Sequence, residues 1–166
     1  MNFDAFDLSP VPAPGPDAQD PGVYRGIYGM PMFVTVPTAD LHASVDFWTD
    51  GLGFIDLFTI PGQLTHLRRW AFQDVLLVAG EPAADLPAAT VGFACLLDQL
   101  DGIARACTAL SPGSTDGPRV TPWNTTDLEI RTPENTRVNF TAAMQLDPDS
   151  ETARNLRAIG FDVPSS

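Results

Sequence analysis

Few side chains in this sequence have both the type and the spacing for chemistry. The two histidines are His42 and His66. His42 follows the apolar position Leu41, on the solvent side of an expected helix. His66 sits on an expected strand with no histidine partner at metal-ligand spacing. Cys95 and Cys107 both fall on expected core faces, and read as buried thiols rather than a disulfide or a chelating pair. There is no G-x-S-x-G elbow or phosphate-binding loop, and the glycines follow no dinucleotide pattern. What remains is Asp127, Glu129 and His66 with Arg131. In a desolvated cavity these types could run metal-free acid–base chemistry. The same residues would serve equally well as the wet polar face of a strand.

Flat side chains offer a second possibility. Trp70 and Phe72 are read on one face of a strand, and Trp123 just precedes Asp127. Such rings stack on planar ligands at low entropic cost, and Asp127 and Glu129 could pair with a cationic group. Core packing explains Trp70, Phe72 and Trp123 equally well. Trp48 lies on an apolar helix face and is expected in the core.

Two similar blocks position these residues. Phe33–Val36 is apolar and β-branched enough for a strand that Pro37 ends. Asp40 can cap a helix on which Leu41, Val45, Trp48 and Leu52 share one face, and Gly51 or Gly53 supplies its left-handed stop. About 58 residues on, Val91–Leu97 reads as a second strand and Asp98 as a second cap. The second helix face is Leu100, Ile103, Ala104, Cys107 and Leu110. Each helix is followed by strand-like segments: Phe54–Ile60, Leu64–Phe72 and Val75–Ala79 in the first block, then a short strand near Val120 after a loop over 111–118, Thr126–Arg131 and Thr136–Ala142. In Thr126–Arg131 the alternation sends Leu128 and Ile130 under the helix and Asp127, Glu129 and Arg131 the other way. Thr132-Pro133-Glu134-Asn135 is a turn. The organisation is a duplicated strand–helix–strand–strand–strand unit: a tail over 1–29, a first module over 30–86, a second over 87–146, and an extension over 147–166 with a short helix near Ser150–Ile159.

The totals suit a globular chain of 166 residues, with 44% hydrophobic content. No apolar run is long enough to span a membrane. Met1–Asp7 carries two acids and no base, so no export signal is read and a cytoplasmic location is expected. The chain has no lysine, and its nine arginines face 21 acids for a net charge of −12. That balance argues against nucleic acid and anionic membranes and suits a cationic small molecule, or simply keeps the protein in solution. Residues 8–22 hold five prolines and should form a flexible or polyproline-like tail, which Val23–Tyr28 would dock onto the domain.

Three stretches resemble the vicinal oxygen chelate superfamily, and within it the bleomycin resistance proteins. Ser44-Val45-Asp46-Phe47-Trp48-Thr49-Asp50-Gly51-Leu52-Gly53-Phe54 is similar to S-x-x-F-[YW]-x-x-x-L-G-F. Leu67-Arg68-Arg69 with Asp74–Leu77 resembles an arginine-bearing strand and its hairpin partner. Glu129–Ala142 is similar to V-R-D-P-x-G-N-x-x-x-F-T-A, with Thr132 and Asn135 in place of the usual Asp and Gly. The resemblance covers roughly residues 30–143. It implies an α+β fold of two βαβββ modules, whose curled mixed sheet surrounds a cavity in a homodimer that often exchanges modules.

Metal-binding members of that superfamily project His and Glu into the cavity. The resemblance puts those positions near Phe33, Leu76 or Leu77, Thr90 and Asn139, a set with no metal chemistry, so neither a metal nor another cofactor is expected. The expectation is a binding protein that sequesters an antibiotic or natural product, cationic or aromatic, as in bleomycin self-protection. Its ligand contacts are expected from Phe33, Thr35, His66, Trp70, Phe72, Trp123, Asp127, Glu129, Arg131 and Asn139. The alternatives are a glyoxalase- or dioxygenase-like enzyme or a metal-free enzyme of a biosynthetic pathway, and a duplicated module kept for protein interaction.

Overall fold

The computed structural model describes residues 11–25, 33–82, 84, 90–122 and 124–158. Met30, where the sequence places the start of the domain, lies outside them, as do Trp123 and the chain from Ile159 onward.

β1 (Phe33–Thr38) leads into α1 (Leu41–Asp46), and the Asp40 carboxylate accepts a hydrogen bond from the Ala43 amide at 3.0 Å, as a capping residue should. The helix widens into a π-helical turn, Phe47–Gly51, which buries both Phe47 and Trp48. Gly53, at φ +75°, is the left-handed residue that reverses the chain. β2 (Ile55–Ile60), β3 (Leu64–Arg68) and β4 (Asp74–Ala79) complete a sheet of order β1-β4-β3-β2, with β1 and β4 parallel. The second module repeats this path. β5 (Thr90–Ala94), a single 3₁₀ turn, α2 (Leu100–Leu110), β6 (Thr115–Val120), β7 (Thr125–Arg131) and β8 (Arg137–Ala143) build a sheet of order β5-β8-β7-β6. These are the two βαβββ modules of the expected α+β fold.

One apolar core serves both modules. Val36, Leu67 and Leu77 from the first sheet and Leu128, Ile130 and Phe140 from the second are buried together against the helices. Trp48 meets Phe54 edge-on at 5.1 Å, and Phe54 meets Phe93 edge-on at 5.1 Å, so an aromatic chain crosses the module boundary. Burying one face of each strand leaves Asp127, Glu129 and Arg131 on the opposite face, as their alternation with Leu128 and Ile130 requires. In the β7–β8 turn, Asn135 takes φ +59° and the Thr132 hydroxyl accepts from the Thr136 amide at 3.1 Å. Both residues that depart from the motif therefore still make the turn.

Four local expectations change. β3 stops at Arg68, and Arg69–Phe72 forms a tight turn closed by hydrogen bonds of Arg69 N to Gln73 O and Gln73 N to Trp70 O, with Phe72 at φ +66°. Trp70 and Phe72 therefore do not share a strand face. Asp98 does not cap the second helix: the side-chain oxygen of Gln99 accepts from Leu96 N at 3.0 Å instead, one turn before α2 begins. β6 starts at Thr115, inside the expected loop, because Gly117 absorbs a register shift between Asp116 and Arg119. At φ +109°, with Asp127 O only 3.0 Å from where a Cβ would stand, that position requires glycine. Lastly, residues 11–25 hold no helix or strand, yet the segment lies against the domain and is fixed at Asp20 and Tyr24.

α3 (Glu151–Ala158) packs through the fully buried Ala153, with Leu156 half-buried. Among the described residues no helix is long and apolar enough to cross a membrane.

Candidate functional site

Each sheet buries one face under the helices and turns the other outward, the face that the resemblance implies is concave. On the first sheet, Thr35, Leu76, His66 and Phe58 form one row across four strands. Thr35 and Phe58 are exposed, and His66 and Leu76 half-buried. Phe33 pairs with Asp74 one step along; its side chain lies outside the described set. Asp74 is buried and takes the fork of the buried Arg68, through Nε at 2.6 Å and Nη2 at 3.1 Å. His66 Nε2 stands 3.5 Å from the same carboxylate. The tail reaches this cluster: Arg68 Nη1 donates to Tyr24 O at 3.0 Å, and the guanidinium lies 5.7 Å from the Tyr24 ring centre.

On the second sheet the concave face is polar and internally bonded. Asn139 Nδ2 donates to Asp127 at 2.9 Å and to the Thr141 hydroxyl at 3.2 Å, while Thr125 donates to the other oxygen of Asp127 at 2.8 Å. Arg137 Nε lies 3.2 Å from Glu129, an ion-pair distance without hydrogen-bond alignment. Arg131 donates to Asn135 at 3.0 Å, and Asp116 pairs with Arg119. By register this face carries three acids (Asp116, Asp127, Glu129) and three arginines (Arg119, Arg131, Arg137), a formal sum of zero, so the chain's charge of −12 is not concentrated here.

The expected contact residues therefore divide. Thr35 and His66 belong to one concave face, and Asp127, Glu129, Arg131 and Asn139 to the other. Trp70 is buried at the module junction, Phe72 stands exposed on its turn, and Trp123 lies outside the described residues. Strand alternation identified the faces of β7 correctly. It misassigned Trp70 and Phe72 because two aromatics spaced i, i+2 look the same in a strand as in a tight turn.

Sequence reading passed over the junction itself. Arg69 is buried there, donates through Nη1 to Ala94 O and through Nη2 to Gln99 Oε1 at 2.8 Å, and stacks on Trp70 (4.4 Å) and Phe140 (4.8 Å). Burial pulls its pKa down, and the neighbouring Cys95 and Asp20 partly offset this. Asp20 of the tail accepts from the Trp70 indole at 2.9 Å and from the Gln99 amide at 2.6 Å. Beside this junction a cavity of about 740 Å³ separates residues Val11–Ala18 from the ends of β5 and β8. The only available signal for the junction was the Arg68-Arg69 pair at the end of a strand, one arginine serving each side. Both cysteines are buried free thiols, and burial pushes each pKa up to about 12.

Solved structures similar to this chain include a lactoylglutathione lyase, a glyoxalase-related enzyme and fosfomycin resistance proteins. The lactoylglutathione lyase of Agrobacterium tumefaciens is 20% identical with a TM-score of 0.53, over 69% of this chain and 94% of its own. A glyoxalase-related enzyme of Clostridium phytofermentans is 16% identical with a TM-score of 0.55, over 73% and 100%. The fosfomycin resistance protein FosX of Listeria monocytogenes, in complex with Mn(II) and sulfate, is 12% identical with a TM-score of 0.58, over 80% and 99%. No protein-family model matches the sequence, and no curated protein matches it. At these identities the shared property is the fold.

The fold raises the question of a metal, and the donor chemistry answers it. The outward positions of β1, β4, β5 and β8 include Thr35, Asp74 and Leu76, Thr90 and Gly92, and Asn139. Asp74 is the one acid among these, and the Arg68 guanidinium already occupies its carboxylate. Among the described residues no three His, Cys, Asp or Glu side chains converge anywhere on a common point. Hydroxyl and amide oxygens beside a carboxylate already held by arginine do not outcompete water for a divalent ion, so these residues do not fit one.

Proposed function

We propose that the protein binds a small molecule without a metal, and sequesters an antibiotic or natural product in the manner of the bleomycin resistance proteins. The observation that supports this most is that Thr35, Leu76, Gly92 and Asn139 occupy the outward strand positions, and none of the four is a metal-ligating type. A hydrogen-bonded row, Asp127–Asn139–Thr141, occupies the outward face of β7 and β8. Asp127 and Glu129 are the groups that would meet a cationic or aromatic ligand. Because the two concave faces are turned outward and both are half-exposed, the complete site would form in a homodimer that brings the first face of one chain against the second face of its partner. Native mass spectrometry of untagged protein, purified without chelator, tests this. A dimer carrying an organic mass and no metal is the expected result. One divalent ion per site, lost with activity on acidification, would overturn it.

One observation favours a second reading. His66 is half-exposed on the concave face and lies 3.5 Å from the buried Asp74. A carboxylate so placed can orient an imidazole for proton transfer, which would make the protein a metal-free acid–base enzyme of a biosynthetic pathway. Consumption of the co-purified ligand, abolished in His66→Gln, would favour this reading over pure binding.

A further inference from the structure

We propose that the proline-rich tail is the outer wall of a ligand pocket, and that this pocket takes an uncharged, predominantly apolar molecule or moiety. The proposal rests on the small-molecule-binding reading above and adds where the apolar part of the ligand sits and what holds that wall in place.

β5 is an edge strand of the second sheet. A tail running past such an edge would ordinarily add to it as another strand. This one does not, and the sequence explains why: Pro12, Pro14 and Pro16 lack the amide hydrogen a ladder needs, and their fixed φ keeps the segment stiff. A turn with Ala18 N donating to Gly15 O at 3.2 Å then redirects the chain. The tail therefore stands off the sheet, and the gap is the cavity of about 740 Å³, within the size range of small-molecule sites.

The wall is Val11, Pro12, Pro14 and Pro16, and the floor includes Ala94 and Ala143 on the concave face of the sheet. Apart from the Cys95 thiol, which burial keeps protonated, Asp98 is the sole ionisable side chain among the described lining residues. A cavity of this composition offers little to compensate the desolvation of a charged ligand. Gly92 opens it further. A Cβ there would meet only Asn139 O, at 4.0 Å, and its φ is not in the left-handed range, so a larger side chain at 92 would enter the cavity without straining the backbone.

The wall is fastened next to the pocket. Asp20 joins the first module, through Trp70 Nε1, to the second, through Gln99 Nε2, beside the buried Arg69 guanidinium. Asp20 is a positioning residue for the pocket, and its own contacts lie outside the cavity.

The test uses full-length protein and two related fluorophores: Nile red, which is uncharged, and Nile blue, its cationic analogue. Nile red should bind saturably with a blue-shifted emission. Gly92→Leu, which fills the pocket, should weaken it by about tenfold or more, and Asp20→Ala, which releases the wall, by a smaller factor. Nile blue should bind more weakly than Nile red. The proposal is overturned by Nile red that does not saturate, by affinity unchanged in Gly92→Leu, or by tighter binding of Nile blue. Gly92→Leu keeps the test decisive if Asp20→Ala is poorly folded. None of these outcomes bears on whether the purified protein carries an organic mass on its concave faces, so the two readings fail separately.

Discussion

The carboxylate of Glu134 accepts a hydrogen bond from the indole nitrogen of Trp48, 86 residues earlier, and another from the Ser44 hydroxyl at 2.9 Å. All three are buried, and Ser44 continues the chain to the Thr38 hydroxyl at 2.7 Å. The β7–β8 turn of the second module is thereby bonded to the first helix and the end of the first strand. Removing one partner strands the others without water. Glu134→Ala should cost about 3 kcal/mol, a fall in Tm of roughly 6–12 °C for a chain of this size. Glu134→Gln keeps one acceptor and should cost less. Thermal unfolding of the two variants side by side checks the order; equal losses would mean that the carboxylate's charge, not its bonds, matters.

The Arg68–Asp74 pair predicts a different behaviour. Both members are buried, so deleting one leaves an uncompensated charge. Asp74→Ala should destabilise by about 3–5 kcal/mol, whereas replacing both by apolar residues should recover much of that loss. Urea titrations of the single and double variants would read the coupling; additive losses would contradict it.

The cysteines make stability fall in alkali. Both folded-state pKa values are raised from 9.0 to about 12 by burial, so the unfolded chain releases these protons first. The contribution is complete below about pH 9 and is lost progressively towards about pH 12. Cys95→Ala/Cys107→Ala should flatten the pH dependence of urea unfolding in that window. At pH 8 neither thiol should react with a disulfide reagent until the protein is unfolded.

Divalent metals should leave the protein unchanged. With Thr35, Leu76, Gly92 and Asn139 at the concave positions, Mn(II) or Ni(II) should give no stoichiometric heat in calorimetry, and a chelator should not shift Tm. Asn139→Glu is the informative variant: a new carboxylate beside Asp127 repels it, and metal-dependent stabilisation of that variant alone would show that donor type is what excludes the ion.

Trp70 separates packing from ligand contact. It is buried under the tail, with Arg69 stacked on it. Trp70→Phe keeps the ring and loses the bond to Asp20, so it should cost about 1 kcal/mol. Trp70→Ala should cost roughly 3–5 kcal/mol. Chemical denaturation distinguishes the two, and a Trp70→Ala protein of full stability would remove Trp70 from the core.

Much of this architecture is carried by short-range pattern. The duplication, the cap at Asp40, the apolar stripe through Trp48 and Leu52, and the inward Leu128 and Ile130 all follow from periods of 3.6 and 2, which any single segment reveals on its own. Asn139 stands out through the resemblance to a known family, not through any period in the chain. What only the tertiary structure decided lies where segments far apart in the chain meet. Arg69 leaves its strand because the second module offers it Ala94 O and Gln99, and that departure takes Trp70 and Phe72 off the face that alternation assigned them. A proline-rich stretch has no periodicity to read, so the docking of Asp20 at the junction depends wholly on partners 50 and 79 residues away. Local periodicity reports which side of an element is apolar; only the packed chain determines what that side, or its polar opposite, finally meets.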